Sequence, residues 1–313
     1  MTSHELSGTA GDAGWWVSDV AITLSAADDT SLTGDVSGVD YTEYSINGGE
    51  WTTYLDPILI HGDGIYIVDY RSLDIAGSEE ADKPIEVRVD TTPPVSSVDQ
   101  IEPYWRDSTS FVVSATASDA LSGVMGVELY YRSSIDGLSW TEWKQYGVDN
   151  AAPYDWSFTA PDGYALYEFY SVAADIAGNV ESATETADTG CGVVIPATID
   201  IDPDTLNLKS KGKWITAYIE LSSGHDLASI DVGTIMLEGV VPAESHPTEI
   251  GDHDGDGIPD LMVKFDRQSV QELLEPGDVE LTVTGSWRAV LFKGSDTIRV
   301  IEPGGGNLNE PRD

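Results

Sequence analysis

Apolar and polar residues alternate along much of this chain, so that every second side chain is apolar. In the segment LYEFYSVAADIAGN (166–179), Tyr167, Phe169 and Ala173 fall on one face of an extended chain. The segment IYIVDYRSLDIAG (65–77) has the same pattern. Successive side chains of a strand point to opposite faces, whereas a helix repeats its pattern once per turn. The alternation therefore predicts short β-strands that each bury one face.

The first part of the chain contains two similar modules. The segment SGVDYTEYSINGGEWTTY (37–54) is echoed by SGVMGVELYYRSSIDGLSWTEWKQY (122–146), in the same order relative to the strands above. Each segment has a hairpin turn, at Asn47-Gly48-Gly49 and at Asp136-Gly137, because these residues tolerate positive φ. The sequence DTTPPV (90–95) separates the modules, and its two prolines predict a stiff, extended linker.

The sequence changes character after Cys191 but still indicates β-structure. The segment ATIDIDPDTLNLKSKGKWITAYIEL (197–221) predicts two strands around a basic turn, and RQSVQELLEPG (267–277) predicts one short helix. We therefore expect an all-β chain of three tandem β-sandwiches, of which the third is not a copy of the other two. The predicted units are residues 12–90, 91–190 and 195–303, followed by a flexible tail at 304–313.

Charge and composition limit the partners. The chain has 15 Lys and Arg against 55 Asp and Glu, which gives a formal net charge of −40. Nucleic acids and anionic membrane surfaces are disfavoured as partners, because both require clustered basic residues. No apolar run is long enough for a membrane helix, so we expect no direct membrane insertion. The start MTSHELSGTAGDAGWW has no signal-peptide pattern, and we expect a fragment of a longer, exported protein.

Candidate catalytic chemistry is sparse. The chain has one cysteine, Cys191, which excludes an internal disulfide. Its surroundings, DTGCGVV, indicate a flexible linker, in which it would be an incidental thiol or a link between two chains. No zinc-ligand spacing and no nucleophile motif occurs. We therefore expect a protein without enzymatic activity, although a carboxylate pair for glycoside cleavage is not distinguishable among so many acidic residues.

These segments resemble known modules of cell-surface proteins. GWWVSDVAITLSAADD (14–29) and APYDWSFTAPDGYALYEFYSVAADIAGN (152–179), with the segments above, resemble the immunoglobulin-like and fibronectin type III-like repeats of bacterial and archaeal surface proteins. IDIDPDTLNLKSKGKWITAYIEL (199–221) with IGDHDGDGIPDLMVKFDR (250–267) resembles a domain appended to secreted archaeal and bacterial proteins. The resemblance implies Ig-like sandwiches with a structural or adhesive role outside the cell, and a surface protein or a glycan as partner.

The segment GDHDGDGIPDLMVKFDR (251–267) has aspartates at alternate positions before a glycine. In calcium loops, alternating carboxylates bind the ion while a glycine permits the sharp turn. An EF-hand is excluded because Val263 stands where its glutamate would be; the loop instead resembles the calcium hairpins of integrin-type repeats. The alternative is a solvated Asp/Gly turn without an ion, which mutual repulsion of the carboxylates disfavours. The predicted calcium ligands are Asp252, Asp254, Asp256, Asp260 and the carbonyl of Ile258.

Each module also has an aspartate before its SGV sequence and another in its DIAG sequence. In a seven-stranded sandwich these positions end two neighbouring strands at one pole. They are candidates for further calcium sites between loops, with Asn179 as an added ligand in the second module. The alternative is that they hydrogen-bond their own backbone turns. The candidates are Asp119 with Asp175, and Asp29 or Asp28 with Asp74.

The aromatic residues also allow two interpretations. We predict that they form sandwich core or cross-strand pairs. The alternative is a sugar-stacking platform, for which Trp140 and Trp143 are the best candidates. The functional hypotheses are therefore a calcium-stabilised structural or adhesive spacer, an accessory carbohydrate-binding region of a larger secreted hydrolase, and an enzyme without a recognisable motif. The aromatics concerned are Trp15, Trp16, Trp51, Trp140, Trp143, Tyr154 and Trp156.

Overall fold

The computed structural model describes residues 1–28, 37–184, 186–222 and 224–302. Within these ranges the chain is an all-β protein of tandem sandwiches, as predicted. Asp29 and the tail at 304–313 lie outside the described residues. Among the helices of the described part, none is long and apolar enough to cross a bilayer.

The first sandwich packs a three-stranded sheet against a five-stranded sheet. In its third strand Val20, Ile22 and Leu24 are buried while the residues between them are more exposed, as the alternation predicts. The predicted boundary at residue 12 left out the first strand, which pairs antiparallel with the third. The strands are β1 (Thr2–Ser7), β2 (Trp15–Trp16), β3 (Val20–Ala26), β4 (Val39–Ile46), β5 (Thr52–Thr53), β6 (Ile58–Ile60), β7 (Gly64–Asp74) and β8 (Lys83–Val89).

The second sandwich has the same strand order as the first. Its sheets run β14-β11-β9 and β10-β16-β15-β12-β13, which correspond strand by strand to β6-β3-β1 and β2-β8-β7-β4-β5. The repeated sequence segments therefore fold into the same topology. The strands are β9 (Val95–Val98), β10 (Trp105–Arg106), β11 (Ser110–Ser118), β12 (Val124–Ser134), β13 (Lys144–Asp149), β14 (Tyr154–Thr159), β15 (Leu166–Asp175) and β16 (Thr189–Val193).

The third sandwich has a different topology, and its two halves share a strand. The first residues of β17 pair in parallel with β25, and the rest of β17 pairs antiparallel with β19. One strand thus joins both halves around a common core. The strands are β17 (Ile195–Asp202), β18 (Thr205–Asn207), β19 (Trp214–Leu221), β20 (Ile230–Leu237), β21 (Val241–Pro242), β22 (Glu249–Gly251), β23 (Asp260–Asp266), β24 (Gly277–Trp287) and β25 (Val290–Ile301).

The predicted helix is present but shorter than its sequence pattern. It covers Arg267–Gln271, and a second helical turn lies at Leu227–Ser229. The Asp266 side chain caps α1 (Arg267–Gln271) by accepting a hydrogen bond from the Ser269 backbone N–H at 2.9 Å. The chain returns to extended structure at Gly277, where β24 begins.

The prediction for Cys191 was wrong. The residue does not lie in a flexible linker but in β16, fully buried in the core of the second sandwich. The glycines on both sides of it indicated flexibility, yet they serve close packing. A Cβ at Gly192 would lie 2.1 Å from the Trp105 ring, and one at Gly190 would lie 2.8 Å from the Tyr167 carbonyl. A link between two chains through Cys191 is therefore excluded in the folded state.

Hydrogen bonds hold the joint between the first two sandwiches. The Thr91 backbone N–H, in the linker, donates to Asp63 of the first sandwich at 2.7 Å. The Asp12 N–H of the first sandwich donates to the Ala177 carbonyl of the second at 2.8 Å. From the second sandwich, the Ser122 N–H donates to the Asp90 side chain at 2.9 Å. The linker is thus fixed by contacts on both sides as well as by its prolines.

The joint between the second and third sandwiches is apolar. Trp105 and Tyr164 of the second sandwich pack against the core of the third. The His225 ring lies between Tyr164 and Trp287, with ring centroids 6.1 and 4.8 Å away. The Ala289 N–H also donates to the Ile135 carbonyl at 3.2 Å. Apolar packing and a short connection therefore join these two units.

Candidate functional site

The predicted calcium loop closes a hairpin at one edge of the third sandwich. Strands β22 and β23 pair antiparallel, and Gly251 lies opposite Asp260 in their register. Gly255 and Gly257 have φ values of 80° and 91°, a conformation that favours glycine. The hairpin therefore brings both ends of the aspartate segment together, as the sequence spacing requires.

Three of the predicted ligands converge in this hairpin. Asp252, Asp254 and Asp260 each place one carboxylate oxygen within 4.8 Å of the others. Asp260 is buried, whereas Asp252 and Asp254 are exposed. The carboxylate of Asp260 accepts a hydrogen bond from the His253 N–H at 2.8 Å, which holds the turn against the start of β23. This arrangement of oxygen donors suits a hard cation such as Ca²⁺.

Of the other two predicted ligands, the Asp256 carboxylate lies outside this group. The Oδ1 atom of Asp256 accepts a hydrogen bond from the Ile258 N–H at 2.7 Å, so this carboxylate supports its own turn. The Ile258 side chain is exposed. Asp256 and the Ile258 carbonyl therefore remain predictions from the loop spacing.

Acidic residues on two neighbouring strands face the hairpin and were missed by sequence reasoning. Asp200 in β17 and Glu220 in β19 line one cavity together with Asp254 and Asp260. Burial, and then the charges of Asp256, Asp260 and Asp254, raise the pKa of Glu220. Burial, followed by the charges of Asp202 and Asp296, raises the pKa of Asp200. The outward positions of β17 and β19 were visible in the alternation, but the hairpin that they face was not.

A groove of about 300 Å³ lies beside the hairpin. The His253 ring in this groove stacks on Tyr218 with ring centroids 3.5 Å apart. Asp252, Asp260 and Glu249 also line the groove. This stacking contact holds the acidic loop, which contains His253, against Tyr218 in β19 of the sheet.

A second acidic group lies at the joint of the first two sandwiches. Asp90, Asp119 and Asp175 each place one carboxylate oxygen within 4.8 Å of the others. Sequence analysis paired Asp119 with Asp175, but it assigned Asp90 only to the linker. Asp90 is 1% and Asp175 is 0% exposed. The turn interpretation is also correct in part, because the Asp175 carboxylate accepts hydrogen bonds from the N–H and side-chain amide of Asn179 at 2.7 and 2.8 Å.

The corresponding residues of the first sandwich accept backbone hydrogen bonds. Asp28 accepts from the Gly38 N–H at 2.7 Å, and Asp74 accepts from the Ser78 N–H at 2.7 Å. Within the described ranges, neither belongs to a group of three possible metal ligands. Asp29, the other candidate in this module, is outside the described residues.

The aromatic candidates pack mainly as predicted. Trp15, Tyr154 and Trp156 are buried core residues. Trp140 and Trp143 are half-buried, and both rings lie beside the Arg132 guanidinium, at 5.1 and 4.5 Å from their centroids. Cation–π contacts therefore engage the two rings that the sugar-platform hypothesis selected.

No protein-family model matches this chain, and no curated protein does. Solved structures with some similarity include the fibronectin(III)-like modules of Clostridium thermocellum CbhA. The match has 17% sequence identity and a TM-score of 0.29, and it covers 62% of this chain and 94% of that chain. The FN1-FN3 domains of chicken CNTN1 show 12% identity over 95% and 97% of the two chains, with a TM-score of 0.29. A tetra-tandem repeat in the extending region of a large adhesion protein shows 12% identity over 96% and 75%, with a TM-score of 0.30. These values are too low to assign the chain to any of these proteins.

Proposed function

We propose that this chain is a non-enzymatic structural or adhesive segment of an extracellular or cell-surface protein, with calcium bound in the hairpin of the third sandwich. The tandem architecture, with contacts at both joints, supports a spacer role. The acidic composition supports an exterior location, where a high negative charge keeps a protein soluble and divalent cations compensate it. Its partner would be a surface protein or a glycan.

The observation that carries the calcium proposal is the convergence of Asp252, Asp254 and Asp260 opposite two further acids. Asp200 and Glu220 both have raised pKa values, with burial as the largest cause and neighbouring carboxylates next. Ionisation of these two side chains in the folded protein is therefore energetically unfavourable without a compensating cation. Calcium suits the site better than magnesium, because calcium accepts irregular shells of six to eight oxygens.

Thermal unfolding of the full chain tests this proposal. Calcium at about 100 times its dissociation constant stabilises a domain by about 2.7 kcal/mol, which corresponds to a rise in Tm on the order of 10 °C. We expect this rise for the third-sandwich transition when calcium replaces EDTA. Asp254→Ala should abolish it. Asp278→Asn, which removes one exposed charge from the same sandwich outside the hairpin, should retain it.

A Tm of the third-sandwich transition that calcium does not change would contradict the proposed hairpin site. A rise that survives Asp254→Ala would also contradict it. The adhesive role is tested separately, by immobilising the chain and measuring its binding to a glycan array and to intact cell surfaces in calcium. Turnover of glycosides by the chain would reject the non-enzymatic assignment.

A further inference from the structure

We propose that Asp90, Asp119 and Asp175 bind a second calcium ion at the joint between the first two sandwiches, and that this ion fixes the joint. Asp90 directly follows the last strand of the first sandwich, whereas Asp119 directly follows β11 and Asp175 ends β15 of the second. One oxygen from each lies within 4.8 Å of the others. The site therefore exists only when both sandwiches take this relative position.

Burial makes the charges of Asp90 and Asp175 energetically unfavourable without a cation, while Asp119 is partly exposed. Asp90 and Asp175 have 1% and 0% of their surface exposed. Among the ion pairs of the described residues, none includes Asp90, Asp119 or Asp175. Removing a carboxylate from water is unfavourable by several kcal/mol unless an opposite charge and hydrogen bonds compensate it.

Hydrogen bonds reach both oxygens of Asp90 and of Asp175, but only one oxygen of Asp119. The Oδ2 atom of Asp119 accepts from the Leu121 and Gly123 N–H groups at 2.8 and 2.7 Å. The Oδ1 atom of the same carboxylate is fully buried and has no hydrogen-bond partner among the described residues. Such an oxygen is rare in folded proteins, because leaving it unsatisfied costs the full desolvation of the group. It is an independent indication that this carboxylate faces a ligand.

The first sandwich provides an internal comparison. Asp74 accepts from the Ser78 N–H four residues on, as Asp175 does from Asn179, and Asp28 accepts from the Gly38 N–H. In the described part of the first sandwich, no third carboxylate joins them. In the second sandwich the third carboxylate is that of Asp90, which comes from the end of the first sandwich.

The ligand chemistry identifies the ion class. Every donor is a carboxylate oxygen, which excludes soft metals and suits Ca²⁺. Carboxylates bind calcium through one or both oxygens, and waters complete the shell. With calcium bound, three charges at the joint attract one ion; without it, they repel one another and the two sandwiches separate more readily.

Calcium stoichiometry of the full chain distinguishes this site from the hairpin. Equilibrium dialysis followed by metal analysis should give two ions for the wild-type chain, one for Asp254→Ala, one for Asp119→Asn and none for the double variant. Asp107→Asn, which removes an exposed charge from the second sandwich away from the cluster, should retain two. Asp90→Asn is a second test from the other sandwich and should also lose one ion.

Small-angle scattering provides the conformational readout. On an Asp254→Ala background, calcium should narrow the distribution of interdomain distances, and Asp119→Asn should remove that effect. The proposal is overturned if the Asp254→Ala chain binds no calcium. It is also overturned if adding Asp119→Asn or Asp90→Asn to the Asp254→Ala chain does not reduce the amount of calcium that the chain binds. If only the hairpin proposal fails, the Asp254→Ala chain and the wild-type chain bind one ion each, and Asp119→Asn removes it.

Discussion

The side-chain amide of Asn179, in the second sandwich, donates a hydrogen bond to the backbone carbonyl of Asp90, at the end of the first, over 2.9 Å. The same amide donates to the carboxylate of Asp175 at 2.8 Å. One side chain thus ties the linker backbone to the buried acid beside it. Asn179 therefore contributes two hydrogen bonds to the joint, independently of any ion.

Asn179→Ala should therefore loosen the joint in EDTA. Loss of both hydrogen bonds should lower the unfolding free energy of the second sandwich by about 1–3 kcal/mol, because buried oxygens lose donors. Hydrogen exchange at residues 90–95 should become faster. Asn150→Ala, at an exposed position of the same sandwich, is the matched control and should change neither quantity. Unchanged exchange in Asn179→Ala would show that other contacts carry the joint.

The pKa of Glu220 gives a prediction for the third sandwich. Its folded pKa is raised above the ordinary 4.5, so ionisation in the folded state is penalised. The penalty is absent below the unfolded pKa and appears as pH rises through the folded pKa. In EDTA at pH 7, Glu220→Gln should raise Tm by about 2–4 °C, and the gap to wild type should close as pH falls towards 4.5.

The control for Glu220→Gln is Asp278→Asn, which removes one charge from the same sandwich. Its effect on Tm in EDTA should be smaller. Saturating calcium should cancel the advantage of Glu220→Gln, because an ion in the hairpin compensates the carboxylate. An equal gain from both variants would assign the effect to net charge rather than to the hairpin.

Glu80 anchors the first strand of the first sandwich. Burial opposes its ionisation, but hydrogen bonds from Lys83 and from the side chain and N–H of Thr2 outweigh burial and lower its pKa to about 2. Its stabilisation is therefore present above the ordinary value of 4.5 and is lost as pH falls towards about 2. Glu80→Gln should lower the unfolding free energy by about 2 kcal/mol at pH 7.

Hydrogen exchange of Thr2–Ser7 measures this anchoring directly. Exchange in Glu80→Gln should be faster than in wild type at pH 7, and the two proteins should converge in stability near pH 2. Glu5→Gln, an exposed change on the same strand, is the control. A constant difference between Glu80→Gln and wild type across this pH range would exclude a contribution from the charge.

Cys191 should be unreactive in the native protein. Burial, partly offset by Arg106, raises the pKa of its thiol to about 12, so thiolate is negligible at pH 8. A colorimetric thiol reagent should label the native chain only at the rate of unfolding and should detect one thiol per chain in guanidinium. Rapid labelling of the native chain would contradict the buried position of this residue.

The sequence by itself determined the elements and their repetition. The alternation in β3 follows from the pleat of a strand, whereas β15 is buried on both faces. The repeated segments share one topology. The spacing of Asp252, Asp254 and Asp260 also marked the hairpin, because those aspartates are close together in sequence. The glycines around Cys191 led to the wrong prediction of a flexible linker, because glycine occurs both in flexible segments and where chain segments pack closely.

Tertiary structure decided the contacts between distant segments. Asp90 lies far along the chain from Asp175, and only the angle between two sandwiches brings their carboxylates together. Glu220 faces the hairpin because β19 and β23 are neighbours in the folded sheet. Side-chain periodicity specifies which face of a strand is buried, but it does not encode which other segment that face meets. Sites formed between elements therefore appear only when packing places the elements together.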